Sequence, residues 1–160
     1  MCGEQRQGVH HLTVTTAPAF WLRSSPPSMS AEGIHLRKFT RRHIALLIKA
    51  SRDPEIFRWI FMPPDLDKAG ARTLAERWRS RAAEGRLRQY VFSSEQSMPA
   101  VGLVSLVLQD PADAWLADIA YWLLPDGRQQ GLVTRAVRLL LKWAFEESDV
   151  CRVALYTKGR

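Results

Sequence analysis

The sequence predicts an α/β (α+β) domain, a mixed and mostly antiparallel sheet flanked by helices. Three observations lead there. Several short runs alternate apolar and polar residues and favour β-branched and aromatic side chains, and the middle ones are joined by short polar turns, as in an antiparallel meander. Other runs place apolar residues at helical spacing. Between Asp118 and Glu147, finally, a strand pattern breaks at a turn and opens directly into an amphipathic helix that carries the chain back across the sheet.

Taken in order, Met1–Gly33 is rich in Ser, Thr, Pro and Gly, and Pro18 interrupts its apolar cluster, Ala17–Leu22. Residues 1–33 are therefore expected to form a mostly unstructured extension, with Met29 an alternative start. A secretory signal would need a basic start and a continuous apolar centre, which this stretch lacks. Ile34–Phe39 alternates as a first strand. Thr40 is a candidate N-cap for a helix through Ala50, with Ile44, Leu47 and Ile48 as its buried stripe. After Asp53, Pro54 and Glu55, the run FRWIFMPP offers Phe57, Trp59, Ile60 and Phe61, expected mainly to pack the core. Asp65 or Asp67 would cap a helix to about Glu84, with Leu74 and Trp78 inside and Arg72, Arg77, Arg79 and Arg81 on a solvated outer face. Gly85 ends it. Gln89–Ser94, Ala100–Gln109, Leu116–Leu124 and Arg152–Tyr156 read as further strands.

Composition sets limits on function. A chain of 160 residues suits one domain with a real core, and 46% hydrophobic and 24% charged residues are ordinary globular values. The net charge of +7 and pI near 10.0 favour polyanionic neighbours such as coenzyme A, RNA or a ribosome surface. Two cysteines, Cys2 and Cys151, are too few for a disulfide framework, so the cytoplasm is the expected location. No apolar run reaches membrane-spanning length, so no membrane partner is expected. His10, His11, His35 and His43 are not spaced as ligands, so no metal is expected.

The junction after the central strand carries the chemistry. Pro125, Asp126 and Gly127 end the strand. Arg128, Gln129 and Gln130 lead to Gly131, whose missing side chain lets a ligand approach the backbone, and from Leu132 the period is helical. Val133, Ala136, Val137, Leu140, Leu141 and Ala144 share one face, and Arg135, Arg138 and Lys142 another. A helix start presents unpaired amides and the positive end of a dipole, so this junction is a plausible phosphate cradle.

The segment IAYWLLPDGRQQGLVTRAVRLLLKWAFEES, followed by RVAL, resembles the acetyl-CoA-binding core of the GCN5-related N-acetyltransferases (GNAT), specifically their RimJ/RimL-like branch, which acetylates amino groups. The resemblance runs from about Ile34 to Tyr156. It implies acetyl-CoA as cosubstrate, with its pyrophosphate on the amides of the R/Q-x-x-G-x-G/A loop, here Arg128, Gln129, Gln130, Gly131, Leu132 and Val133, together with Thr134. Val133 stands where relatives have Gly or Ala, and is expected to crowd the phosphates. Amides near Tyr121, Trp122 and Leu123 would pair with the pantetheine arm, because relatives splay the two strands that admit it. The segment from Asp53, Pro54, Glu55 and Ile56 through FRWIFMPP would line the acceptor side, so that one or two of its aromatic residues contact substrate. Relatives also continue past the last strand with a helix and two more strands, which supply a tyrosine acid. The resemblance therefore implies a fold truncated at its C-terminus, with impaired activity and a free edge for a homodimer or strand-completing partner.

Acetyl transfer needs a neutral amine, so a base must remove a proton while donors stabilise the oxyanion. Asp118 matches the position where relatives often carry Glu, and is the candidate base, acting through a bridging water because Asp is one methylene shorter. Ser105 has no His/Asp partners at triad spacing. Gly131 is followed by Leu132 and Val133, which excludes a Walker loop. The expected acceptor is a primary amine, a protein N-terminus or a small molecule. Two alternatives stand beside it: a non-catalytic remnant binding RNA or a protein partner through its basic surface, and an enzyme for an aminoglycoside-like amine.

Overall fold

Among the described residues, six strands form one sheet in sequence order. β1 (Ser28–Ala31), β2 (Ile34–Lys38), β3 (Leu87–Ser93), β4 (Gly102–Val107) and β5 (Leu116–Leu123) run antiparallel to their neighbours, and β6 (Arg152–Ala154) lies parallel to β5. The helices are α1 (Ile44–Ala50), α2 (Pro54–Phe57), α3 (Lys68–Ala83) and α4 (Leu132–Glu147). The computed structural model describes residues 26–58, 60, 62–96, 98–108 and 116–156. No helix among these is long and apolar enough to cross a membrane.

Strand alternation divides the core between the two faces of the sheet. On one face, Leu36, Tyr90, Phe92, Val104, Leu106 and Ile119 pack against Ala136, Leu140 and Ala144 of α4. On the other, Val91, Leu103 and Trp122 meet Leu46 and Leu47 of α1, Ile56 of α2 and Ala71 and Ala75 of α3. The inner stripe of α3 is thus built on alanines, with Leu74 and Trp78 at its margin and Trp78 edge-on to Phe39 at 5.5 Å. Phe57 and Ile60 also pack there. Trp59 and Phe61 lie outside the described residues.

Each helix start has a physical cause. Asp67 accepts from the Gly70 amide at 2.7 Å and so starts α3, and Asp53 accepts from the Glu55 amide at 2.9 Å with Pro54 at the first helical position of α2. Thr40 and His43 form a capping box over the 3-10 turn Arg41–His43 that leads into α1. Buried Ser51 donates to the Ile48 carbonyl and accepts from the Leu66 amide, fixing the connector before α3.

Two expectations change. The extension expected through Gly33 is folded from Pro26, because Ser28–Ala31 pairs with β2 and the Tyr90 hydroxyl donates to the Pro26 carbonyl at 3.0 Å. Only Met29 of that strand is half-buried, so hydrogen bonds to β2 hold it and no hydrophobic alternation announces it. Residues 1–25 lie outside the described part. The last strand is also shorter than expected, ending at Ala154 with Leu155 and Tyr156 exposed beyond it.

Candidate active site

The loop between β5 and α4 is shaped by two left-handed residues, Gln129 (φ 63°) and Gly131 (φ 67°). Gly131 is the N-cap of α4, and the first helical bond runs from the Arg135 amide to its carbonyl at 3.2 Å. The amides of Leu132, Val133 and Thr134 therefore stand ahead of the helical ladder, at the positive end of the dipole. A Cβ built on Gly131 would meet nothing within 4 Å, so the glycine is demanded by its backbone angle and faces open space.

Arg135 orients this loop. Its guanidinium donates to the Gln130 carbonyl at 3.0 Å, and to the Glu32 and Gly33 carbonyls at 3.0 and 3.3 Å. A trans peptide sets N–H opposite C=O, so holding the Gln130 carbonyl sends the Gly131 N–H the other way. On the far side, Arg128 pairs with Asp53 and reaches the Leu123 carbonyl at 3.3 Å. Both arginines hold backbone in place. The Gln130 side chain likewise donates to the Asp126 carbonyl at 3.0 Å, and Gln129 is exposed.

Beside this loop the sheet forks. β6 pairs with β5 only at Leu116, Ala117 and Asp118, while β4 follows β5 out to Leu123. On the β6 side, about 17 Å of strand edge from Asp118 to Leu123 is left without a strand partner among the described residues. A cavity of about 530 Å³ opens there, lined by Tyr121, Val133, Val137, Leu141 and Leu155, with Thr134, Arg138 and Lys142 at α4. The helix thus carries two apolar stripes that the sequence pattern merges. Leu132, Ala136, Leu140, Trp143 and Ala144 are buried, whereas Val133, Val137 and Leu141 are half-buried and line the cavity.

The structure gathers most of the sequence-predicted residues around this fork. Asp118 is the last residue of β5 paired to β6, opposite Ala154, and is half-buried. It alternates with Ala117 and Ile119, which face α4, so its side chain faces the α1 and α3 side, as do Trp122 and Leu124. Tyr121 lines the cavity, and Leu123 is half-buried on the same face. Trp122 differs, its ring being buried on the far face and leaving only its backbone toward the fork. Asp53 falls in the segment expected on the acceptor side, but its pairing with Arg128 and the hold of Arg135 on the loop carbonyls do not follow from the sequence. The Asp-Pro-Glu capping signature marks Asp53 as a helix start but gives no sign of its partner 75 residues on. Beyond the Arg128–Asp53 pair lies a second cavity of about 500 Å³, lined by Lys49, Arg52, Pro54, Leu124, Pro125 and Asp126 as well as the pair itself.

This architecture has known counterparts. A family model described as the acetyltransferase (GNAT) domain matches residues 34–159. No curated protein matches the chain. Among solved structures it is similar to one described as a probable acetyltransferase, at 25% identity and TM-score 0.67 over 80% of this chain and 72% of that one. It is also similar to a RimL ribosomal-protein alpha-N-acetyltransferase in complex with coenzyme A (17%, TM-score 0.64, 81% and 72%). A third is the spermidine N-acetyltransferase from Vibrio cholerae in complex with coenzyme A and spermine (18%, TM-score 0.59, 71% and 64%). With the family model spanning every described element from β2 to β6, the protein belongs to the GNAT acetyltransferases.

Proposed function

We propose that the protein transfers the acetyl group of acetyl-CoA to a primary amine, with a protein N-terminal amino group as acceptor. The observation that carries this reading is the fork: a free β5 edge beginning at Asp118, an apolar wall beside it, and unladdered helix amides at its far end. The residues suit a long ligand with an anionic head and a less polar arm. Amides from Gln129 to Thr134 would hold the pyrophosphate, the edge from Tyr121 to Leu123 would pair with the amide-bearing arm, and Val133, Val137 and Leu141 would cover it. When bound, acetyl-CoA supplies a thioester carbonyl activated for attack by nitrogen.

Asp118 sits where the two strands part and faces the side of α1 and α3. Its carboxylate would take the proton from the acceptor ammonium, directly or through one water, so that the nitrogen lone pair becomes available. Attack would form the C–N bond as the C–S bond breaks, with the second nitrogen proton passing to the departing thiolate so that the amide and the free thiol are released. Charge favours the protein N-terminus over a polyamine. Lys49, Arg52 and Arg128 line the second cavity against Asp53 and Asp126, and the chain carries a net +7, so a polycationic acceptor would be repelled.

The test is calorimetric titration with acetyl-CoA, followed by mass spectrometry of peptides bearing free N-termini and of spermidine. Binding with peptide acetylation is expected. A folded protein that does not bind acetyl-CoA would sink the reading, binding without turnover would support a non-catalytic role, and acetylation of spermidine alone would overturn the acceptor.

A further inference from the structure

We propose that Asp53 is a positioning residue for the amide loop, setting its affinity for the cofactor without touching it. The inference rests on reading Gln129–Thr134 as the acetyl-CoA phosphate site. Asp53 lies at the α1–α2 junction with its side chain only 11% exposed, and its two carboxylate oxygens do separate things. Oδ1 accepts from the Glu55 amide and caps α2, while Oδ2 pairs with the Arg128 guanidinium. The same guanidinium donates through Nε and Nη2 to the Leu123 carbonyl at 3.3 Å, and the Arg128 amide donates to the Pro125 carbonyl at 3.0 Å. One side chain therefore ties the end of β5 and the start of the loop to the helix junction on the other face of the sheet.

The residue immediately following is Gln129, held at φ 63°. A non-glycine residue persists in that region only where its surroundings fix it. Without the Asp53 charge, Arg128 keeps only two long bonds to a neutral carbonyl, and Gln129 is free to relax toward a negative φ. That relaxation would turn the peptides that lead into Gly131 and disperse the converging amides. Among the described residues the hydrogen bonds of Asp53 reach the loop through Arg128, which separates its positioning role from its capping role.

The experiment uses Asp53→Asn, which retains an acceptor for the Glu55 amide and ranks equally as an N-cap but removes the charge that pairs with Arg128. Amide hydrogen exchange of the ligand-free protein and calorimetric titration with coenzyme A are measured on wild type, Asp53→Asn, Arg128→Gln and the double variant. We expect exchange at Gln129–Thr134 to quicken, and the Kd for coenzyme A to rise, by about tenfold, the scale of one lost charge-assisted hydrogen bond. β3 and β4 amides should be unchanged, and the double variant no worse than the worse single one. Wild-type loop exchange and affinity in Asp53→Asn would overturn the proposal. Should that variant fail to fold, Arg128→Gln carries the same test, since it leaves the α2 cap intact. A wild-type protein that binds no coenzyme A would sink the acetyl-CoA reading, and the exchange data would still decide whether Asp53 orders the loop.

Discussion

Replacing Gly131 by Ala separates two effects that the structure assigns to different causes. The stability cost comes from the backbone: a residue with a Cβ at φ 67° costs about 1–2 kcal/mol, because Cβ approaches the following carbonyl. Nothing adds to it sterically, since the new methyl meets no atom within 4 Å. For a domain of this size that lowers Tm by roughly 2–8 °C, at about 2–4 °C per kcal/mol. The binding cost would arise because the methyl enters the open space in front of Gly131, where the proposed pyrophosphate would approach the backbone. Losing one charge-assisted bond there, about 1.5–3 kcal/mol, raises the Kd for coenzyme A about ten- to hundredfold. Gly131→Asn is the control, because Asn tolerates the left-handed region, so its Tm should fall less while its affinity falls as far. Scanning calorimetry and titration read both quantities. Unchanged affinity in a folded Gly131→Ala protein would refute the cradle, and a collapse of Tm would refute the open surroundings of Gly131.

Asp118→Asn should leave coenzyme A affinity within a factor of about two while slowing acetylation by about a hundredfold or more, as for a lost general base; a fully active variant removes Asp118 from the mechanism. Val133→Gly should weaken coenzyme A binding, because Val133 forms part of the apolar cavity wall, and should cost up to about 1 kcal/mol of stability through helix propensity. Tighter binding would instead support the crowding expected from the sequence. His43 supplies a pH test. Burial, and then the nearby Arg37 charge, lower its pKa below the usual 6.5, and its Nδ1 accepts from the Thr40 amide at 3.0 Å. Between the folded value and about 6.5 the unfolded chain binds more protons, so stability rises with pH across that window and is lost as pH falls through it. Thermal melts from pH 8 to 5 should show this slope in wild type and a shallower one in His43→Gln; equal slopes would exonerate His43.

What the sequence discloses depends on how local the cause is. α4 begins at Leu132 as its periodicity predicts, because Gly131 and the apolar spacing act within a few residues. The central strand is legible for the same reason, and the cap of α3 is narrowed to Asp65 or Asp67, of which the structure selects Asp67. β1 is not, because SMSA has no alternation and is held by pairing with Arg37, Leu36, His35 and Ile34 across a turn. The division of α4 between core and cavity is equally hidden. A helical pattern shows that Val133, Val137 and Leu141 avoid water, but only the parting of β5 from β6 shows that they face a cavity. Arg128 illustrates the sharpest limit, since a residue of the glycine loop reads as a cofactor ligand until the carbonyl and carboxylate partners of its side chain are seen.

Arg128 and Arg135 change how the site must work. The donors of Arg135 go to three carbonyls and those of Arg128 to Asp53 and one carbonyl, so the hydrogen-bond donors left for a ligand at the loop are backbone amides at the start of α4, while only Arg128 has its charge offset by a carboxylate. Amides are neutral dipoles at short range. They hold an anion already in place but contribute little to attracting one from a distance. The long-range attraction falls instead to the net charge of +7, to Arg135 and to exposed cations near the mouth, Arg138 and Lys142, which ionic strength screens beyond about 8–10 Å. Salt should therefore slow the association of coenzyme A far more than it hastens dissociation. The same division explains why a left-handed Gln129 is tolerated: amide donors depend on their geometry, so the conformation has to be imposed from both sides, by Arg135 through the β1–β2 turn and by Arg128 through Asp53.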